Sequence, residues 1–349
     1  MWPRCPSSLV HLRGFFAGAP DAAARSVETL PVASVTPCLP SVSVVIPTYR
    51  REQVLLNTVQ HVVNLRGPLA EVIVVDQTQE HEPATRSELA RMAADGSIRW
   101  IRLHGPSITH AMNVGLRVAS GDVVLFLDDD IVPDESLIGM HAAAIAEGHR
   151  IVAGRVLQPW DDDAATGDGG RFRFSSDRRQ FIGELMAGNF SVTRALALEL
   201  GGFDENFVHV AYRFEADFAA RAIAAGQRIL FEPRACIRHL KASAGGTRSY
   251  GHHLTTVRPS HAVGDYYYLL HAPALQRRWL AVLTRPLRAV RTRHHLRRPW
   301  WIPGTVIAEL TGLAWAAALS LKGRRLLSCD VDGGAIGASV NRPTGRTLE

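Results

Sequence analysis

Short apolar runs alternate with segments of helical periodicity through the first half of the chain. Predicted strands lie at 42–47, 71–75, 98–103 and 123–127, where apolar and β-branched residues dominate. Apolar residues at helical spacing fill the intervals between these strands. This alternation predicts an α/β fold in which a mostly parallel sheet is flanked by helices.

The pattern divides the chain into four parts. Residues 1–40 lack a sustained period and predict a weakly ordered tail. Residues 41–255 hold the predicted α/β domain, which contains a polar, glycine-rich insertion at 158–180. Residues 256–325 predict a basic and apolar helical appendage, and 326–349 predict a loose polar tail.

The composition is typical of a globular protein, and its cysteine content indicates the cellular compartment. Of 349 residues, 46% are hydrophobic and 21% are charged, and the net charge is +6. The four cysteines lie far apart without a CxxC pair, which argues against a zinc site or a disulfide framework. This cysteine usage, and a start without a clear signal-peptide pattern, predict a cytoplasmic protein.

Carboxylates follow two of the predicted strands at their carboxyl ends. Asp76 ends the second strand, and the fourth strand runs directly into Asp128–Asp130. The carboxyl ends of parallel strands lie at one edge of a sheet, so these acids are expected to share a crevice with Pro47-Thr48-Tyr49. Carboxylates are the ligands that Mg²⁺ and Mn²⁺ prefer, and such a cation neutralises a diphosphate. The pattern favours a nucleoside diphosphate site over a solvated acidic turn.

Several short motifs occur in order between residues 41 and 250. A single DxD is common by chance, but the ordered set is specific. The motifs are Val44-Val45-Ile46-Pro47-Thr48-Tyr49, Val74-Val75-Asp76, Asn113-x-Gly115-Leu116, Ala119-Ser120-Gly121-Asp122, Phe126-Leu127-Asp128-Asp129-Asp130, Gly201-Gly202-Phe203-Asp204-Glu205, Arg221, Pro233 and His239. In this order they resemble the family 2 glycosyltransferases of the GT-A, Rossmann-like fold.

The resemblance implies metal-dependent, inverting transfer of a hexose from a nucleotide sugar. A UDP-sugar is the favoured donor, and a hydroxyl of a glycan or of a lipid-linked acceptor of the cell envelope is the expected acceptor. Asp76 would contact the base, and Asp128 and Asp130 would form the DxD pair. The predicted donor contacts are Pro47, Thr48, Tyr49, Asp76, Asn113, Asp128, Asp129 and Arg248, and the predicted ligands of Mg²⁺ or Mn²⁺ are Asp130 and His239.

The start of a later helix departs from the Glu-Asp pair that is usual in this family. The chain reads Phe214-Glu215-Ala216-Asp217 there, and alignment on Phe218 and Arg221 places Glu215 at the position of the catalytic base. A glutamate at a helix N-terminus is kept ionised by the helix dipole and can accept a proton from an acceptor hydroxyl. Asp217 and a purely structural role for Glu215 are the alternatives.

Two other functions fit parts of the sequence. Asp128-Asp129-Asp130-Ile131-Val132 satisfies the nucleophile motif DxDx[TV] of haloacid dehalogenase-like phosphatases. That family begins its domain with this strand, whereas three βα units precede it here. A nucleotide-sugar-binding protein without activity is the second alternative, against which the acids at Asp128, Asp130 and Glu215 argue.

The appendage combines basic and apolar residues. Residues 266–308 contain eight arginines and no acid, and Trp300 and Trp301 precede the apolar stretch 302–321. No nucleic-acid reader motif accompanies the arginines, so no nucleic-acid partner is predicted. Basic residues beside an amphipathic, Trp-flanked segment favour an anionic membrane surface. We therefore expect a peripheral protein at the inner face of the cell membrane, with 302–321 interfacial or packed rather than spanning.

Overall fold

The computed structural model describes residues 38–161, 172–251, 254–272 and 278–328, with the side chains of Thr247 and Arg248 excluded. Most of the two predicted tails and the prediction on the side chain of Arg248 therefore lie outside the described residues.

One sheet carries all the strands of the described residues. Its spatial order is β3-β2-β1-β4-β8-β6-β9-β5, and β7 pairs with β9. The strands are β1 (Val42–Thr48), β2 (Leu69–Asp76), β3 (Arg99–Arg102), β4 (Val123–Leu127), β5 (Ile131–Pro133), β6 (Ile151–Leu157), β7 (Gln180–Ile182), β8 (Asn189–Thr193) and β9 (Ile229–His239).

The prediction of an α/β fold with a sheet flanked by helices is confirmed. Strands β1 to β4 pair in parallel, in the order β3-β2-β1-β4. In the second half, β8 runs antiparallel to both β4 and β6, and β5 and β7 run antiparallel to β9. The sheet is therefore mixed, and its parallel half is the part that the strand–helix alternation predicts.

Helices cover both faces of the sheet and form the C-terminal part. They are α1 (Gln53–Val63), α2 (Pro83–Ala94), α3 (Ile108–Val118), α4 (Leu137–Ala146), α5 (Arg194–Glu199), α6 (Phe214–Ala224), α7 (Ala262–His271), α8 (Arg278–Val290), α9 (Arg293–Arg297) and α10 (Ile302–Leu321). Short 3₁₀ turns occupy Gly246–Tyr250 and Pro299–Trp301. Helix α8 continues through Pro286, although proline usually interrupts or kinks a helix.

The sheet buries apolar side chains on both faces, as its near-continuous apolar strands predict. In β4, Val124 and Phe126 belong to one core cluster, and Val123, Leu125 and Leu127 belong to the other. The first cluster also includes residues of α7 and α10. The C-terminal helices therefore pack against the α/β core.

The segment that follows α10 returns to the α/β core. Leu327 is buried beside Gly202, and its backbone N–H donates to the carbonyl of Gly201. Arg324 Nη1 lies 2.8 Å from Asp217 Oδ1 and 3.4 Å from Asp204 Oδ2. These contacts join the C-terminal segment to the loop before α6 and to the first turn of that helix.

Candidate active site

A cavity of about 390 Å³ opens at the carboxyl ends of β1 and β4. This is the edge at which open α/β sheets bind ligands. Eight of the predicted site residues line it: Pro47, Thr48, Tyr49, Asp128, Asp129, Asp130, Glu215 and His239. The sheet thus brings together side chains from β1, β4, β9 and α6 that are far apart in sequence.

Two carboxylates and an imidazole form a potential metal site in this cavity. Candidate ligand atoms of Asp128, Asp130 and His239 all lie within 4.8 Å of one another. His239 Nε2 is 3.0 Å from Asp130 Oδ1 and 3.7 Å from Asp128 Oδ2. The pairing of Ile131 with His239 in the β5–β9 ladder places the imidazole beside these acids. This donor set fits Mn²⁺ or Mg²⁺.

Gln158 fixes the orientation of His239. Its Oε1 lies 3.1 Å from Nδ1 of the histidine. With the proton on Nδ1, the imidazole donates to this oxygen and presents the lone pair of Nε2 to the metal site. Gln158 follows β6, and its neighbour Leu157 pairs with Arg238. No sequence motif marks this contact, which depends on the β6–β9 pairing.

Asp129 turns away from the metal donors and binds the loop after β1. Thr48 Oγ1 donates to Asp129 Oδ2 over 2.7 Å, and Arg51 Nε donates to Asp129 Oδ1 over 3.1 Å. Arg51 also donates to Asp130 through Nη2, at 3.2 Å. The buried Arg51, which the sequence reasoning did not find, therefore offsets the repulsion among adjacent carboxylates.

The same arginine anchors the loop after β9. Its Nη1 donates to the carbonyl of Ala244, and the backbone N–H of Ala242 donates to Asp130 Oδ2 over 2.8 Å. Gly245 has φ +80°, and a Cβ there would overlap the carbonyl of Arg50, so glycine is required at this close approach. This loop continues into Gly246–Tyr250, whose two end residues line the cavity.

Glu215 lies in the first turn of α6 and faces the cavity. Burial raises the pKa of its carboxyl to about 7, and the charge of Asp128 acts in the same direction. No side chain within the described ranges hydrogen-bonds to this carboxylate, so it is available to a ligand. Its pKa near neutrality suits a general base.

Asp217 has entirely different surroundings. It is buried outside the cavity lining, and its carboxylate accepts from Arg221 Nε over 2.9 Å and from Arg324 Nη1 over 2.8 Å. Two guanidinium groups thus neutralise it. The structure therefore favours Glu215 over Asp217 as the candidate base.

Comparison with known proteins shows which family part of this chain resembles. The family model described as glycosyl transferase family 2 matches residues 43–200. This range includes nearly all of β1, the whole of β4 and β8, and the acids that follow β4. Residues 43–200 are therefore similar to family 2 glycosyltransferases, whereas Glu215 and His239 lie beyond the matched region. No curated protein sequence gives a significant match to this chain.

Among solved structures, the chain is similar to GalNAc-T7 with UDP, GalNAc and Mn²⁺, at 18% identity and a TM-score of 0.49. That alignment covers 58% of this chain and 44% of the other. It is also similar to the mannosyltransferase PcManGT from Pyrobaculum calidifontis in complex with GDP-Man and Mn²⁺, at 21% identity and a TM-score of 0.48. This alignment covers 82% of this chain and 80% of the other.

Asp76, which the sequence predicts as a contact of the donor base, lies outside the cavity lining. It is fully buried, and its Oδ2 lies 2.8 Å from His81 Nε2 and 3.0 Å from Trp100 Nε1. The next residue, Gln77, lines the cavity instead. Its amide nitrogen lies 3.3 Å from the carbonyl of Thr48.

Asn113, the other predicted donor contact outside the cavity lining, holds a loop in place. Its Nδ2 donates to the carbonyl of Phe203 over 2.8 Å, and its Oδ1 accepts from the Phe203 N–H over 2.8 Å. The side chain therefore holds the Gly202–Phe203 backbone against α3. It thereby shapes the loop that leads towards Glu215.

The segment before α6 forms one wall of the cavity in an unusual backbone conformation. His209, Ala211 and Arg213 have φ values of 60°, 52° and 75°, in the left-handed region that non-glycine residues rarely adopt. His209, Ala211 and Tyr212 line the cavity. Such conformations persist where the surroundings enforce them and cluster at functional sites. The apolar and basic residues of this segment gave no indication of this backbone conformation in the sequence.

Proposed function

We propose that this protein is a glycosyltransferase that moves a hexose from a nucleoside diphosphate sugar to an acceptor hydroxyl with inversion at the anomeric carbon. The supporting observation is that Glu215 and the donor set of Asp128, Asp130 and His239 line one cavity. A base for the acceptor and a site for the diphosphate are the two requirements of direct displacement.

The reaction is a single displacement. Glu215 accepts the proton of the acceptor hydroxyl while the acceptor oxygen bonds to the anomeric carbon. The bond from that carbon to the diphosphate oxygen breaks, and the nucleoside diphosphate leaves with the electron pair. A bound divalent cation would neutralise charge on the leaving diphosphate. Asp128, Asp130 and His239 would hold it, with Gln158 orienting the imidazole.

Gln77 takes over the base contact that the sequence reasoning gave to Asp76. Its carboxamide donates one N–H to the carbonyl of Thr48 and accepts from the backbone N–H of Ser107, which leaves one N–H and one oxygen lone pair for a ligand. Uracil presents one N–H and two carbonyls on its imide edge, which such an amide can match. This pairing supports a UDP-sugar as the donor.

The acceptor we propose is a glycan or a lipid-linked saccharide of the cell envelope, met at the cytoplasmic face of the membrane. Support comes from the C-terminal helices, which expose Trp and Leu side chains among arginines. One helix, Pro299–Leu321, is long and apolar enough to cross a membrane by length and composition, with a third of it buried in the protein.

A ligand screen followed by a hydrolysis assay tests this function. UDP- and GDP-sugars are compared by thermal shift with and without Mn²⁺, because a ligand that binds the folded state raises the unfolding midpoint. We expect one donor to give a Mn²⁺-dependent shift and slow release of nucleoside diphosphate. Asp130→Ala should abolish both, whereas the exposed Asp177→Ala should keep both.

The same assay separates the two alternatives. A labelled aspartyl phosphate trapped after incubation with a phosphorylated substrate would identify a phosphatase and contradict sugar transfer. A donor-induced shift without any turnover in the presence of Mn²⁺ and an acceptor extract would identify a binding protein.

A further inference from the structure

Helix α8 exposes the face that a surface helix normally buries. Trp279, Leu280, Leu283 and Leu287 repeat at helical spacing and point outward. Trp279 is 61% exposed and Leu283 is 72% exposed. Nothing within the described part of the chain covers this stripe.

The exposed stripe continues beyond the helix and is surrounded by positive charge. Leu296 is 82% exposed and Trp300 is 69% exposed. The same stretch carries six exposed arginines, and no carboxylate of the described residues pairs with them: Arg278, Arg288, Arg291, Arg293, Arg297 and Arg298. We use the term α8 surface for the four apolar residues of α8 named above together with Leu296, Trp300 and the six arginines.

The opposite face of α8 is fixed to the protein, so the outward direction of the stripe is defined. Val282 is buried. Arg285 Nε lies 3.0 Å from Asp265 Oδ2, and its Nη1 lies 2.5 Å from Glu309 Oε2. These ion pairs, which are largely shielded from solvent, hold α8 against α7 and α10.

Helix α10 packs within the protein as well. Glu309 is buried, and it accepts a hydrogen bond from Tyr266 Oη over 2.9 Å. Gly312 lies so close to α7 that an added Cβ would come 2.7 Å from the Cβ of Ala262. Insertion of α10 across a bilayer would break these contacts and move a carboxylate into hydrocarbon, which is costly.

We propose that the α8 surface docks the protein in the plane of an anionic membrane, with α10 packed rather than spanning. The leucines and tryptophans would enter the boundary between headgroups and acyl chains, and the arginines would meet anionic headgroups. Charge complementarity decides the occupant. An acidic protein partner would match the arginines but leave the Trp–Leu stripe exposed to water.

The docked helix is connected to the catalytic region. Asp265 Oδ2 lies 3.0 Å from Nε of Arg285, and Asp265 Oδ1 accepts a hydrogen bond over 2.9 Å from Nε of Arg213, which immediately precedes α6. A membrane held by α8 is therefore linked through two ion pairs to the helix that carries Glu215. The interpretation that this surface brings the protein to an envelope acceptor rests on the proposed function. Binding of the surface to a membrane requires neither donor nor metal.

Sedimentation with vesicles tests the docking of the full-length protein. We expect binding to vesicles of phosphatidylcholine and phosphatidylglycerol at low salt, and weaker binding at 0.5 M NaCl as charges are screened, about tenfold or more. Leu283→Glu should lose at least as much affinity. Ile223→Glu, which places the same charge on an exposed position of α6, should bind as the wild type.

Four outcomes would overturn the proposal. They are no binding to anionic vesicles at low salt, equal binding of Leu283→Glu, retention of the bound protein after alkaline carbonate extraction, and binding to RNA but not to vesicles. Circular dichroism confirms that each variant is folded, and Arg291→Gln/Arg297→Gln provides a second variant of the surface with the same expected loss. Donor-induced thermal shifts are measured on the same samples, so failure of docking and failure of the sugar-transfer function give separate results.

Discussion

Glu215 and Asp217 lie two residues apart in the first turn of α6, yet one carboxylate faces the cavity and the other is held by two arginines. Helical geometry explains the difference, since residues two apart point about 200° away from each other around the axis. Glu215 is thus placed to act as the candidate base, and Asp217 stabilises the structure.

Amide substitutions should separate these two roles. Glu215→Gln removes the proton acceptor, so we expect kcat to fall about 10²- to 10⁴-fold while Mn²⁺-dependent nucleotide binding is retained. Asp217→Asn leaves Arg221 and Arg324 without their carboxylate and should lower the free energy of unfolding by about 3 kcal/mol. Turnover and urea unfolding are measured on both variants. Full turnover by Glu215→Gln would exclude it as the base.

Gln77 and Asp76 form a second adjacent pair with divided roles. Gln77→Ala should weaken nucleotide binding about tenfold, as expected for the loss of one or two hydrogen bonds to the ligand, and should also lower the unfolding midpoint because its bonds to Thr48 and Ser107 are lost. Asp76→Ala leaves His81 and Trp100 without their buried acceptor and should lower that midpoint by several degrees. Calorimetric titration with UDP and Mn²⁺ measures the first effect, and thermal unfolding measures the second. If Asp76→Ala alone weakened UDP binding at unchanged stability, the assignment would be reversed.

Strand alternation explains why Asp76 lies outside the cavity lining. Val72 and Val74 point to the core face covered by α1 and α2, and Asp76 has the same parity. Its carboxylate therefore turns towards Trp100 on that face, and Gln77 turns towards the ligand edge. This signal was available in the sequence. The acids after β4 were placed correctly because the chain leaves the sheet at Asp128.

Other features had no comparable signal in the sequence. Arg51, Gln158 and the left-handed segment at 209–213 depend on contacts between distant parts of the chain. Local periodicity carries no information about such contacts. The sequence predicted the parallel half of the sheet and the edge that carries the acids. The residues that support these acids could be found only from the structure.

The buried His141 should make stability depend on pH. It lies 2.8 Å from Ser191 Oγ and 3.0 Å from Asn189 Oδ1, with Glu232 as its nearby charged group, and burial lowers its pKa from 6.5 to about 4. Above pH 6.5 the histidine is neutral in both states. As the pH falls below 6.5, the unfolded chain takes up a proton first, so stability decreases until about pH 4.

At pH 5 the buried His141 is expected to lower the free energy of unfolding by about 2 kcal/mol relative to neutral pH. Urea unfolding of the wild type and His141→Gln at pH 7 and pH 5 measures it as the difference between the two pH dependences. The exposed His61→Gln should keep the dependence of the wild type. Identical pH dependences of the wild type and His141→Gln would show that this histidine is not the buried titrating group.

A glycine beside the acids allows a steric test of the metal site. The carbonyl of Gly188 accepts from the backbone N–H of Asp128, and a Cβ at this glycine would overlap Oδ2 of that aspartate. Gly188→Ala must therefore displace the carboxylate from its place near Asp130 and His239. We expect Mn²⁺ affinity to fall about 10- to 100-fold, as when groups that orient metal ligands are lost.

Gly183→Ala is the matched control, because an added Cβ there meets nothing within 4 Å. Calorimetric titration with Mn²⁺ alone compares both variants with the wild type, and Asp128→Asn shows the loss expected without a change in backbone. Because displacement of Asp128 is the physical cause, Gly188→Ala and Asp128→Asn should weaken the metal to a similar degree. Wild-type affinity in both variants would mean that Asp128 contributes no ligand and that Asp130 and His239 hold the cation with the donor phosphates.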